Sequence, residues 1–444
     1  MFNTIRNAFR VPELRKKIWF TLAMMLVFRL GAHIPVPFLS ADAMQAFLGG
    51  GTDLFSLFNA FTGGAFANAT VMALGVSPYI NASIIMQLLA VAIPALERLS
   101  KEGAEGRKKI NRITRYVGII LAFVQGAGLY ITLHNIGVET PGLEVIKNEG
   151  LLTFFIITLT FTAGTAFVVW LGEQITEKGI GNGISLIIFA GIISSIPQGA
   201  MTVYTQFLGA GFSVEGLAKI IAIGVLAILA IVLVVFFDAA ERRIPVQYAK
   251  RVVGRKMYGG QSTNIPIKVV SGGVMPIIFA SSIMAFPATI VKLANNGKIP
   301  EAGFWGNVLR CLTPGIGSAD WTTVVYAVLY FLLIIFFTYF YSAIQFNPVE
   351  MANNMKKSGG YIPGYRPGKP TSDYIGKVST RLNLTGAFFL GVIAVLPVIM
   401  GAAFSMPGIQ IGGTSLLIME GVALESVRQI ESQLVMRNYK GFLE

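Results

Sequence analysis

One cysteine, Cys311, and two histidines, His33 and His134, are the only thiol and imidazole groups in a chain of 444 residues. A single cysteine excludes an intramolecular disulfide and any cysteine cluster. The two histidines stand alone, with no metal-ligand spacing around them, so no metal and no cofactor is expected. Charge is scarce too: Asp, Glu, Lys and Arg make up 13% of the residues, about half of what a soluble domain carries. Set against 54% hydrophobic residues and a mean hydropathy of +0.66, that deficit points to a polytopic membrane protein. No Ser-Lys pair, paired aspartates or histidine cluster lies at a matching depth, so no catalytic residue is assigned and no enzyme is expected. The run Gly179-Ile180-Gly181-Asn182-Gly183 lacks the Lys-Ser/Thr ending and preceding strand of a phosphate loop. It reads as a tight turn into an apolar segment. The basic N-terminus is followed by no small-residue cleavage site, so Ile18 onward is expected to be a retained span.

What is present begins with a repeat. Residues 75–86 read GVSPYINASIIM and residues 273–284 read GVMPIIFASSIM, with eight of twelve positions identical. Each copy opens a long apolar segment. Such a match is the sequence trace of a duplicated membrane fold. A crossing helix needs about 20 mainly apolar residues, and ten segments fit: 18–36, 73–94, 115–136, 152–172, 183–199, 214–237, 268–291, 322–346, 378–399 and 412–433.

Lys and Arg set the expected direction. They crowd the N-terminus (Arg6, Arg10, Arg15, Lys16, Lys17), the loop after span two (Arg98 to Arg115), loop 238–267 and loop 347–377. Neither occurs between Gly31 and Ala95, nor between Pro397 and Leu424. Both termini are therefore expected to be cytoplasmic, and the two copies of the repeat to run in opposite directions. The fold expected is an all-α membrane protein of ten transmembrane helices in two inverted, pseudo-symmetric halves, 1–200 and 201–444. A second echo, Gly183-Ile184-Ser185-Leu186 against Gly413-Thr414-Ser415-Leu416, falls on the equivalent spans five and ten.

Several features invite functional readings. Segment 53–74 is apolar (Leu57, Phe58, Phe61) but breaks at Gly63-Gly64. A re-entrant half-helix and an interfacial amphipathic helix both fit it. Val76, Ile80 and Ile84 share a helical face by spacing, as do Ile184, Ile188 and Ile192. Ile278 and Ile418 take equivalent places in the second half. Such a stripe either packs a seam or faces lipid, or it forms an apolar constriction that blocks ions by dewetting. Arg29 and Glu420 are charges within spans and hence functional candidates, although Arg29 is also placed to snorkel outward. Loop 238–267 alternates at Ile244, Val246 and Tyr248 and breaks at Gly254, the pattern of a β-hairpin with Arg255 and Lys256 at its tip. Basic loops obey the positive-inside rule in any case. Two long ones after corresponding spans also fit docking of something large and acidic, such as ribosomal RNA. A secondary transporter of a small solute is the alternative function, because it too carries inverted repeats.

The stretches FRLGAHIPVP (28–37), GVSPYINASIIMQLL (75–89), WLGEQITEKGIGNGIS (170–185), YAKR (248–251), QSTNIPIKV (261–269), PIIFASSI (276–283), IPGYRPG (362–368) and GGTSLLI (412–418) resemble the SecY/Sec61 alpha family of protein-conducting channels along nearly the whole chain. The resemblance implies a clamshell and a passive pore for unfolded secretory polypeptides, with a lateral exit for membrane segments. It implies a pore ring of Val76, Ile80, Ile184, Ile188, Ile278 and Ile418, with Val76 where isoleucine is common in the family. It further implies a plug near 55–68 (Leu57, Phe58, Phe61, Gly63, Gly64) and lateral-gate residues Gln87, Gln125, Ser281 and Ser282. Arg255, Lys256 and Arg366 would be ribosome and SecA contacts. The partners implied are SecE, SecG, SecA, the ribosome with its rRNA, signal peptides, nascent chains and the lipid bilayer of the bacterial plasma membrane. Glu420 departs from the aliphatic pattern expected of span ten.

Overall fold

The computed structural model describes residues 2–49, 59, 62–139, 145–209, 213–248, 251–253, 256–258, 262–270, 272–294, 304–312, 321–404 and 413–440. It is mostly helical. The helices are α1 (Phe2–Arg10), α2 (Pro12–Gly31), α3 (Ala41–Gly49), α4 (Ser77–Ala92), α5 (Pro94–Lys101), α6 (Ala104–Glu139), α7 (Leu151–Lys178), α8 (Gly183–Leu208) and α9 (Val214–Ala239). After strands β1 (Glu241–Tyr248), β2 (Arg251–Val253), β3 (Lys256–Tyr258) and β4 (Ser262–Lys268) come α10 (Met275–Ala294), α11 (Phe304–Leu312), α12 (Trp321–Gln345) and α13 (Pro348–Lys357). Strand β5 (Gly360–Tyr361), α14 (Lys369–Phe404) and α15 (Gly413–Lys440) complete the order.

Among the described residues, six helices are long and apolar enough to cross a membrane, and a seventh span results if α4 and α5, bent by 106°, count as one. This makes the chain a multi-pass membrane protein. Each of the ten apolar segments read from the sequence falls on a helix, but several edges differ. The first helix starts at Pro12, because proline suits the first helical turn, and stops at Gly31. The helix of segment 73–94 starts only at Ser77 and ends at Ala92, ahead of Pro94. Segment 268–291 loses its first residues to β4 and a turn; its helix begins at Met275.

The chain packs as two compact units. The first comprises Met1–Ile220, Ser282–Tyr326 and Val398–Glu444. Within it α4 packs on α6, α6 on α7, α7 on α8, and α8 on α15, while α2 lies against α7 and α8. One of its cores gathers Val36, Leu39, Met44, Phe66, Leu133, Ile157 and Phe161, so residues 66–73 are packed among buried side chains of α3, α6 and α7. The second unit comprises Ile221–Ser281 and Ala327–Pro397. There α10 meets α12 through Phe279, edge-on to Phe337 and Tyr341 at centroid distances of 5.8 and 5.1 Å.

The two copies of the repeat start alike. Gly75 has φ +54 and Gly273 has φ +57, a left-handed conformation that glycine adopts at no steric cost. The amide of Ile80 donates to the Val76 carbonyl, and that of Ile278 to the Val274 carbonyl. Ala82 and Ala280 are both fully buried, and Met86 and Met284 nearly so.

Candidate functional site

Val76 caps α4 and is buried, while Ile80, one turn on, is half-buried. Ile184 and Ile188 occupy the first two turns of α8; Ile188 is buried and Ile184 half-buried against Gly172 of α7. Ile418 lies early in α15 and is 3% exposed. These five residues belong to the first unit, and α8 and α15 are packed neighbours. Ile278, in the first turn of α10, belongs to the second unit and is half-buried like Ile80. Glu420 is 8% exposed, two residues beyond Ile418 on α15.

The turn that precedes α4 is held tightly. Gly63 has φ +64 and Gly64 φ +88. The Arg29 guanidinium donates to the Gly63 carbonyl at 3.3 Å, and the Ser194 hydroxyl of α8 approaches the same oxygen at 3.5 Å. A Cβ on Gly63 would collide with Ser194, Arg29 and the Gly191 carbonyl, so the backbone approach itself requires glycine. Arg29 therefore points at protein backbone, which gives its guanidinium a partner in place of water. The Asn59 side chain accepts from the Ala67 amide at 2.8 Å, and Thr62 from that of Phe66 at 3.4 Å. Leu57, Phe58 and Phe61 lie outside the described residues.

The glycine-rich run at 179–183 serves as the N-terminal cap of α8. The first amides of a helix have no intrahelical partner, and here side chains from three other elements accept from amides of the leading turn and of the first helical residue. Thr21 of α2 accepts from Ile180 at 3.1 Å, Gln429 of α15 accepts from Gly181, and Thr176 of α7 accepts from Gly183 at 2.8 Å. Asn182, the capping residue, accepts from Ile184 and Ser185. Sequence reading found the turn but not Thr21 and Gln429, because acceptors so distant in the chain leave no local pattern.

Of the polar residues expected at a gate, Gln87 donates to Ser83 on its own helix at 3.0 Å, and Ser281 donates to the Ile278 carbonyl at 2.9 Å. Gln125 and Ser282 are half-buried on α6 and α10. The unit boundary that falls within α10 runs between Ser281 and Ser282.

The hairpin read from loop 238–267 is present: β1 pairs antiparallel with β4, Ile244 opposite Ile265, and β2 pairs with β3. Lys256 opens β3, whereas Arg255 lies outside the described residues. What the sequence did not reveal is that loop 347–377 joins it. Gln247 and Tyr248 pair with Tyr361 and Gly360, and the Tyr361 hydroxyl donates to Gln247 at 2.9 Å. Pro245 lies beyond the reach of β5, an edge-like position that suits proline. Ile244, Val246, Ile267, Met355, Ile362 and Ile375 close a common core beneath this sheet. The loop around Arg366 is built on that platform. Ile362 is buried, Tyr365 stacks on Tyr374 at 4.2 Å, and the Thr371 hydroxyl donates to the Arg366 carbonyl at 2.8 Å. The Arg366 side chain is exposed, as are Arg242, Arg243, Lys268, Lys356, Lys357, Lys369 and Lys377, leaving a basic surface on a rigid base.

A family model described as SecY matches residues 70–427. The protein translocase subunit SecY of Halalkalibacterium halodurans is 47% identical over 448 residues, with 100% of each chain covered. That of Streptomyces galbus is 45% identical over 453 residues, again with 100% of each covered. Among solved structures, one described as a protein-conducting channel aligns with a TM-score of 0.65 at 20% identity, covering 94% of this chain and 92% of that one. A second, described by a SecY plug domain that stabilises the closed channel, aligns with a TM-score of 0.66 at 21% identity over the same shares. Sec61 from a canine ribosome–channel complex gives a TM-score of 0.61 at 19% identity, with 94% and 92% covered. With its full-length relatives and a family match that takes in both copies of the repeat, the chain belongs to the SecY family.

Proposed function

We propose that this chain is the pore-forming subunit of a protein translocase: a passive conduit for unfolded polypeptides across the membrane, with lateral release of apolar segments into lipid. The observation that carries the reading is the paired repeat. Each copy starts on a left-handed glycine and presents an isoleucine, Ile80 or Ile278, at the same half-buried position. With Val76, Ile184, Ile188 and Ile418 these form an apolar ring that grips a threaded chain and excludes ions by dewetting. The ten helices run as two inverted halves, 1–200 and 201–444, with both termini cytoplasmic in a bacterial plasma membrane. Segment 55–68 acts as a plug, anchored at its C-terminal end by the contact of Arg29 with Gly63. Gln87, Gln125, Ser281 and Ser282 line the lateral gate.

Arg366, carried on the platform of β1, β4 and β5, together with Arg255 and Lys256 at the hairpin tip read from the sequence, contacts the ribosome and its RNA, or SecA. The phosphate charge of RNA supports that role for a basic surface. Energy comes from outside the chain, through elongation or ATP hydrolysis by SecA, while SecE and SecG complete the complex. Photo-crosslinking tests this reading. A stalled, signal-bearing nascent chain is expected to label probes at Ile80 and Ile278 strongly, and a probe at lipid-exposed Val328 weakly. Absence of adducts at both isoleucines, with the nascent chain shown to be docked, would remove the pore assignment.

A further inference from the structure

We propose that Gln429 is a positioning residue that registers α15 against α8, and so sets the level of Ile418 relative to Ile184 and Ile188. The inference rests on the constriction proposed above and adds the part that holds it in register. Gly181 has φ +84 and is buried, and its amide is directed at the Gln429 side-chain oxygen. A Cβ on Gly181 would stand 3.1 Å from the Ser426 hydroxyl oxygen and 3.0 Å from Leu186, so α15 rests directly on the loop backbone. Ile184 and Ile188 follow Gly181 along α8 by about 5 to 10 Å, and Ile418 precedes Gln429 along α15 by about 16 Å. One bond between a loop amide and a helix side chain thus ties two parts of the apolar ring to a common reference. Lys17 adds a neighbouring tie, donating to Gln433 at 3.3 Å. The Thr21 bond to Ile180 anchors the same loop, but to α2, which carries no ring residue.

That difference supplies the test. The full-length chain, with the subunits that co-purify, is reconstituted into vesicles, and chloride leak is measured without cargo. Gln429→Leu leaves the buried Gly181 amide without its acceptor and is expected to raise the leak roughly tenfold. Gln429→Glu keeps an acceptor and is expected to restore the leak to within about twofold of the parent. Thr21→Val weakens the same loop without touching α15 and is expected to leave the leak unchanged. An unchanged leak in Gln429→Leu, or an equal rise in Thr21→Val, overturns the assignment. Should Gln429→Leu fail to accumulate, Gln429→Asn withdraws the acceptor more gently and is read the same way. Ile188→Ser and Ile418→Ser run alongside. If they raise the leak and Gln429→Leu does not, only the role of Gln429 falls. If they too leave the leak at the parent level, the constriction itself is wrong and the positioning role goes with it.

Discussion

In the first copy of the repeat, α4 approaches α6 where Gly118 would place a Cβ only 3.4 Å from the Tyr79 backbone and 3.6 Å from Ala82. In the second copy, α10 meets α12 through Phe279, set edge-on between Phe337 and Tyr341. The helix starts are the same; the seams are not. In lipid, helices gain little from apolar burial alone, and close approach of small residues supplies the contact. The first seam uses that solution, whereas the second fills its space with aromatic rings in the edge-to-face arrangement they prefer. Phe279 stands where the first copy has Asn81. The left-handed glycine, the buried alanine and the isoleucine are retained in both.

The largest expected effect breaks the aromatic seam. Phe279→Ala should cost about 3 to 5 kcal/mol through the cavity it leaves, read as a lowered unfolding midpoint of the detergent-solubilised protein. A shift no larger than that of a surface substitution would mean the rings do not hold α10 to α12. Gly118→Leu attacks the other seam by overpacking, at about 1 to 3 kcal/mol. It should also cut accumulation in membranes, and normal accumulation with an unshifted midpoint would show that the close approach is dispensable. Next come the two starting glycines. Each pays about 1 to 2 kcal/mol for a left-handed alanine, but Gly75→Ala also drives a Cβ to 2.8 Å from the Thr62 methyl, whereas nothing stands within 4 Å of Gly273. Gly75→Ala should therefore be the more damaging of the pair in the same melt; equal losses would place the whole effect in the backbone. Ile80→Ser and Ile278→Ser are smallest in stability, under about 1.5 kcal/mol for half-buried side chains. Both should raise chloride leak in vesicles to a similar extent, and a response from only one would break the equivalence of the copies.

Much of this was legible in the sequence because it is local. Apolar runs of spanning length fell on helices, the glycine-rich run at 179–183 marked a turn into α8, and the alternation of Ile244 and Val246 marked a strand. The misses share one cause, which is contact over long chain separation. Gly360-Tyr361 has too few residues for a pattern, and it becomes a strand only because β1 lies beside it. Gln429 reads as an ordinary helix-surface residue until Gly181 is placed against it. Arg29 admitted two readings from depth alone, and its contact with the Gly63 carbonyl, 34 residues away, left no local pattern. The edge at Lys268 failed because an apolar count cannot separate the end of a strand from the start of a span.

The loop that carries Arg366 is ordered before anything touches it. Ordering a backbone residue costs about 1 to 2 kcal/mol in conformational entropy. A floppy basic loop would meet that cost at the moment of association. Here the stack of Tyr365 on Tyr374, the burial of Ile362 and the Thr371 bond meet it during folding. A large acidic partner docking here, as proposed, would meet an array of charge already in place, so weak contacts would suffice for its recognition.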